Sequence, residues 1–238
     1  MKNITWFNKL GFDSNPFSFK PAAFHNEFFG FDDLLLDINK KISESNILFI
    51  HGPYGTGKTT ILKRIINTFK GKRRVIYYNC NKSVGSINFN RLLINAGWFF
   101  NKLFRVRTKN RILLLDEAQD LNKKDFSNIK SYFENKSFKS IILVSKKTDI
   151  NLPNELKKII GKDNNFGLGD ISSDEAITLI RMRIGDLQFL TDNMVLKIFK
   201  KNKNPRAFLK NCEEVCRNAF DLDAEKVNDK HVSKFAVN

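Results

Sequence analysis

The sequence predicts an α/β fold, a parallel sheet flanked by helices and followed by a small all-α subdomain. Three features carry that expectation. Short apolar runs alternate with amphipathic stretches over most of the chain, a Gly-rich turn follows the first apolar run, and helical periodicity alone follows Gly169.

The first strand is read over Asn46 to Gly52, and the amphipathic stretch Thr59 to Phe69 beyond the turn reads as a helix. A second strand spans about Arg74 to Cys80, a helical region about Ile87 to Phe104, and a third strand about Arg111 to Asp116. Phe126 to Phe133 reads as helix, Ser140 to Ser145 as the fourth strand, and Asn165 to Leu168 as a weaker fifth. Strands alternating with helices imply parallel pairing through right-handed crossovers. The helical part opens at Ser172-Ser173-Asp174-Glu175, where Ser172 and Glu175 have capping-box spacing. Thr191 and Asn204 read as further helix caps, with Pro205 in the first helical position, and a last helix spans about Ala224 to Phe235. The expected division is residues 1–170 for the α/β domain that carries the Gly-rich turn and residues 171–238 for the helical subdomain.

Gly52-Pro53-Tyr54-Gly55-Thr56-Gly57-Lys58-Thr59 matches G-x-x-x-x-G-K-[ST] in full and stands between a strand and a helix, the context such a phosphate loop requires. Glycines there let backbone N–H groups converge on phosphate oxygens. Lys58 reaches the β/γ-phosphates and Thr59 ligates Mg²⁺ at the helix N-terminus, the phosphate site being read over Gly52 to Thr60. ATP and Mg²⁺ are the expected ligands. The run Ile112-Leu113-Leu114-Leu115 then ends in Asp116-Glu117. Asp116 is expected to share the Mg²⁺ shell, and Glu117 to orient or deprotonate a water, which makes hydrolysis the expected activity. Paired acids at a strand end also serve as a helix cap, the blander reading.

Other P-loop classes lack the residues that they need. Ser145-Lys146-Lys147-Thr148-Asp149 has Lys146 where a guanine-reading box needs Asn, and Asp116 opens no Asp-x-x-Gly. Asp116-Glu117-Ala118-Gln119 is similar to helicase boxes, but a helicase needs a second RecA-like domain that 238 residues are not expected to supply. A Ser-Gly-Gly-Gln transporter signature is missing.

The chain resembles the AAA+ superfamily, and within it the branch of archaeal and eukaryotic origin-recognition initiators and bacterial transposition-helper ATPases. The residues that carry the likeness are Asn15-Pro16-Phe17, Phe29-Gly30-Phe31, the P-loop, Asp116 to Gln119, Ser145 and Asn204-Pro205-Arg206. The resemblance implies an α/β P-loop sheet with a helical lid. It gives Phe17, Phe29 and Gly30 an adenine-contact role, makes Ser145 the polar sensor at the end of the fourth strand, and makes Arg206 the lid's phosphate-sensing arginine. Arg206 also stands in the first turn of its helix, where a cation opposes the helix dipole and a phosphate would resolve the mismatch. Family rings commonly take an arginine finger from the segment before the lid, yet no Arg occurs from Ile112 to Ile180. A Lys is a poorer planar clamp.

A formal charge of +16 predicts attraction to polyanions. Lys63, Arg64, Lys70, Lys72, Arg73 and Arg74 lie at or before the start of the second strand, Lys102, Arg105, Arg107, Lys109 and Arg111 at or before that of the third, and Lys136 and Lys139 before the fourth. Ligands of doubly wound sheets bind at the carboxyl ends of strands, so these cations are expected to gather at the opposite edge. DNA docking there, through Arg73, Arg74, Arg105 and Arg107, is the expectation. A solvated Lys-rich face is the alternative. The function expected is an ATP-dependent switch on DNA that loads or recruits other factors, as a homo- or hetero-oligomer, with a regulatory NTPase on a protein or membrane partner as the rival. No run approaches the ~20 apolar residues of a membrane span. Cys80, Cys212 and Cys216 form no disulfide framework, the last pair makes a poor zinc site, and a cytoplasmic chain is expected.

Overall fold

The computed structural model describes residues 5–18, 32–69, 75–82, 85–95 and 111–234, which group into two units. One unit carries the sheet and covers Asp32–Tyr54 and Lys58–Leu168. Its strands are β1 (Ile47–His51), β2 (Val75–Asn79), β3 (Ile112–Asp116), β4 (Ser140–Ser145) and β5 (Asn165–Gly167). All pairings are parallel, in the order β2-β3-β4-β1-β5. The α/β class with parallel pairing follows the sequence expectation.

Every residue of β4 is buried, as are the first four of β1 and of β3, so the central strands are covered on both faces. Ile47, Phe49, Leu113, Leu115, Ile141 and Leu143 pack with Phe126, Ile129, Leu156 and Ile160 from the helices Lys123–Glu134 and Asn154–Ile160. The intervening residues Leu48, Ile50, Leu114, Ile142 and Val144 point to the other face and are fully buried. The helix Asp32–Ser43 packs on β1, β4 and the helix Lys58–Phe69. Asn122 caps the helix Lys123–Glu134, accepting from the Asp125 N–H, while the buried Asp125 carboxylate returns to the Asn122 N–H at 3.2 Å and accepts from the Ile87 N–H at 2.7 Å.

The second unit is helical and includes Gly169 onward, residues 5–18, and the loop tip Gly55–Gly57. Its described helices are Trp6–Lys9, Ser173–Ile184, Asp192–Phe199, Pro205–Asp221 and Asp229–Lys234. Ser172 accepts from the Glu175 N–H, and Asn204 from the N–H groups of Arg206 and Ala207, so both act as N-caps. Thr191 stands at an N-cap position without a side-chain cap bond. The last described helix begins at Asp229 rather than near Ala224; the chain leaves the preceding helix through Asp223, whose φ is 51°.

The N-terminal segment departs from the expected division. Trp6 and Phe17 stack at 6.0 Å between ring centroids within the helical core of Ile180, Val195, Phe208 and Val215. Arg183 donates to the carbonyls of Pro16 and Ser18 at 2.9 Å each. Two buried aromatic rings and a charged clamp thus tie residues 5–18 to the helices, an attachment no local pattern encodes.

Candidate nucleotide site

Parallel pairing brings the carboxyl ends of the strands to one edge. His51 pairs with Ser145 and Asn79 with Asp116, and the Gly52 N–H donates to the Ser145 carbonyl at 3.2 Å. The phosphate loop, the two acids and Ser145 therefore meet along one sheet edge, the end at which doubly wound sheets bind ligands.

The loop has the backbone that the motif demands. Gly55 and Gly57 have φ of 88° and 98°, values that side-chain-bearing residues avoid. A Cβ on Gly52 would lie 2.2 Å from the Leu168 carbonyl oxygen. Within the helical unit, a Cβ on Gly55 would lie 2.6 Å from Asn204 Oδ1 and 2.8 Å from Arg206 Cβ. Arg206 is half-buried on the first turn of its helix, close to this loop tip. Lys58 Nζ donates to the carbonyls of Gly52 and Pro53 at 2.7 Å each. Burial holds its ammonium below the usual lysine range, with the charges of Glu117 and Asp116 pulling the other way and Lys146 adding to the fall.

Asp116 closes β3. Its Oδ1 accepts from the Glu117 N–H and its Oδ2 from the Tyr77 hydroxyl, both at 2.9 Å. Burial pushes this carboxyl above the usual carboxylate range, against the pull of those two hydrogen bonds and of Lys58. The Tyr77 hydroxyl, partly buried and bonded to Asp116, is pushed up to about 12 and stays a donor at neutral pH. Hard oxygen donors on Thr59 and Asp116 suit Mg²⁺, and a desolvated carboxylate gains from a cation beside it.

Glu117 has φ 56° and ψ 43°, a left-handed conformation outside glycine, and it turns the chain from β3 into a short 3₁₀ segment, Ala118–Asp120. Its Oε2 accepts from Gln119 Nε2 at 2.6 Å and lies 3.8 Å from Lys146 Nζ. Gln119 Oε1 in turn accepts from Ser145 Oγ at 3.1 Å and from the Lys146 N–H at 3.3 Å. Ser145 is 1% exposed, and its hydroxyl is held by Gln119.

Other sequence expectations fall differently. Phe17 is 1% exposed and stacked on Trp6, so its ring serves core packing. Phe29 and Gly30 lie outside the described residues, as do Arg73, Arg74, Arg105 and Arg107. Arg111 does not belong to an exposed basic face: it is 2% exposed, and its guanidinium donates to the Leu93 carbonyl. Arg64 is paired with Asp32 at 2.7 Å. Cys80, Cys212 and Cys216 are buried free thiols, and no cluster of three or more His, Cys, Asp or Glu suited to a metal occurs among the described residues. None of the described helices is long and apolar enough to cross a membrane. Tyr77, Gln119 and Lys146 were not assigned from the sequence. Gln119 had a signal, its place two residues after Glu117, whereas Tyr77 had none because it comes from another strand.

Sheet order, phosphate loop and strand-end acids together define a P-loop ATPase of the AAA+ class. The chain belongs to the AAA domain family, whose profile matches residues 44–175. Among solved structures it resembles a variant of RuvB from Thermotoga maritima at 18% identity and TM-score 0.65, covering 86% of this chain and 66% of that one. It also resembles Cdc6p from Pyrobaculum aerophilum at 15% identity and TM-score 0.68, covering 94% of this chain and 71% of that one. Drosophila ORC bound to DNA matches at 15% identity and TM-score 0.60, with 86% of this chain covering only 58% of that one. The likeness to the ORC and Cdc6 branch is one of fold. A comparison with curated proteins gives no match.

Proposed function

We propose that this chain is a Mg²⁺-dependent ATP-hydrolysing switch that associates with DNA and loads or recruits other factors. The observation that carries the ATP reading is the edge where Lys58, Asp116, Glu117 and Ser145 are brought to adjoining strand ends. In this reading the backbone from Gly52 to Gly57, with Pro53, Tyr54 and Thr56, cradles phosphate oxygens. Lys58 binds β/γ-oxygens, Thr59 and Asp116 hold Mg²⁺, Thr60 extends the helix N-terminus, and Glu117 orients water. Arg206 senses the terminal phosphate. Its place near the loop tip, on a helix end where its charge is otherwise unfavourable, supports that role. Phe29 and Gly30 are the adenine contacts proposed.

DNA association rests on the net charge of +16 and on the neighbours described as bound to DNA, Drosophila ORC and the Orc1 protein of Aeropyrum pernix. Two measurements test the proposal. Glu117→Gln keeps size and hydrogen bonding but removes the carboxylate, so ATP should bind and persist unhydrolysed; turnover at the parental rate would remove Glu117 from its role. Mobility-shift titration with and without ATP tests the polyanion. If the basic face neutralises roughly five phosphates, log affinity falls with log salt by about 0.9 per contact, and charge reversal at Arg73, Arg74, Arg105 and Arg107 flattens that slope. No DNA binding by the parent chain would favour a protein partner instead.

A further inference from the structure

The side chain of Gln119 lies between Ser145 and Glu117, the acid proposed to orient the attacking water. Its carbonyl oxygen takes the Ser145 hydroxyl at 3.1 Å and the Lys146 N–H at 3.3 Å, and its amide nitrogen gives to Glu117 Oε2 at 2.6 Å. The same nitrogen is 3.5 Å from Asp120 Oδ2. This orientation is forced by charge and proton count. Flipping the amide would put its oxygen against two carboxylates and its NH₂ against the Lys146 N–H. Ser145 Oγ accepts from the Lys147 N–H at 2.9 Å, so its one proton is directed to Gln119.

Hydrogen-bond direction therefore runs one way, from the end of β4 through the amide to the carboxylate. Glu117 Oε2 is engaged, while its Oε1 accepts no hydrogen bond among the described residues. The Glu117 backbone is already fixed in a left-handed conformation. With one oxygen tethered, the carboxylate is drawn toward Gln119, and the other oxygen stays open to a water proton. Ser145 acts on this carboxylate through Gln119.

We infer that Gln119 is a positioning residue that links Ser145 to the Glu117 carboxylate and sets its orientation for water activation. This rests on the hydrolytic reading above. Gln119→Ala and the shape-preserving Gln119→Met remove the link, and steady-state ATP turnover of the full chain with Mg²⁺ reads the result. A positioned general base contributes roughly 10²–10⁴-fold, so losing its orientation should lower kcat at least about tenfold. KM for ATP should stay within about twofold, because the bonds that Gln119 makes lead to Glu117, Asp120, Ser145 and Lys146 and to none of the loop residues Gly52–Thr59. In a Glu117→Gln background, either substitution should change the residual rate by less than about twofold, since residues that act as a unit are not additive. A merely structural Gln119 would lower the rate in both backgrounds alike. A parent without turnover overturns the hydrolytic reading and this role with it. A parent that turns over, loses turnover in Glu117→Gln, and keeps its kcat in Gln119→Met overturns the role of Gln119 alone.

Discussion

Replacing Gly52 by Ala tests whether the first glycine of the loop is needed for packing rather than for phosphate. The added Cβ would sit 2.2 Å from the Leu168 carbonyl oxygen and 3.0 Å from both its carbonyl carbon and Cβ. Ordinary contact begins near 3.4 Å, so the overlap exceeds 1 Å and falls on backbone that cannot swing away. Leu168 is itself fixed, its N–H donating to the His51 carbonyl at 2.7 Å. The end of β5 must separate from β1, and overpacking of this kind costs about 1–3 kcal/mol. For a chain of this length that is a fall in Tm of roughly 2–12 °C. Because Lys58 Nζ donates to the Gly52 carbonyl, moving that carbonyl moves the ammonium proposed to bind phosphate too. ATP binding should weaken by about tenfold or more, equivalent to ~1.4 kcal/mol. Differential scanning fluorimetry and calorimetric titration measure both effects. Gly169→Ala is the control, since nothing lies within 4 Å of the added carbon. Parental Tm and parental ATP affinity in Gly52→Ala would refute the packing argument.

Further outcomes follow from the same geometry. Lys58→Ala removes a charged donor, and two charge-assisted bonds to phosphate at about 1.5–3 kcal/mol each imply a loss of ATP affinity of roughly 10²–10⁴-fold; unchanged affinity by calorimetry contradicts the assignment. Asp116→Asn should raise Tm at neutral pH without nucleotide or Mg²⁺. Burial places the folded-state pKa of Asp116 above the unfolded one, so the ionised carboxylate costs stability once pH rises past the ordinary carboxylate range and costs nothing below it. The gain should therefore vanish in strong acid; a gain that persists there has another cause. Arg206→Ala should spare ADP affinity while removing the extra protease protection that ATP confers, and identical ATP and ADP protection in the parent would dismiss Arg206 as a phosphate sensor.

The candidate nucleotide site was legible wherever its proposed chemistry needs neighbours in sequence. A phosphate loop must be one continuous turn, so Gly52 to Thr59 declared itself, and an apolar run ending in Asp116-Glu117 marked the end of β3. Ser172 and Asn204 were legible as caps because a cap binds N–H groups two or three residues away. Arg111 shows the opposite. Its charge marked it for a basic face, yet it is buried and donates to the Leu93 carbonyl, a contact that charge and spacing alone do not encode.

By itself, then, the sequence determined the strand and helix order, the phosphate loop, the strand-end acids and the helical end of the chain, because periodicity and motif act over a few residues. Tertiary structure alone decided that Trp6 and Phe17 join the helical core, that Tyr77 on β2 donates to Asp116 on β3, and that Gln119 connects Ser145 with Glu117. Those partners lie 39 and 26 residues apart for the Tyr77 and Ser145 bonds, and they meet only because parallel register lines up the ends of strands far separated along the chain. Contacts set by register leave no local trace in composition or spacing, since each residue alone is compatible with many surroundings until the sheet fixes one.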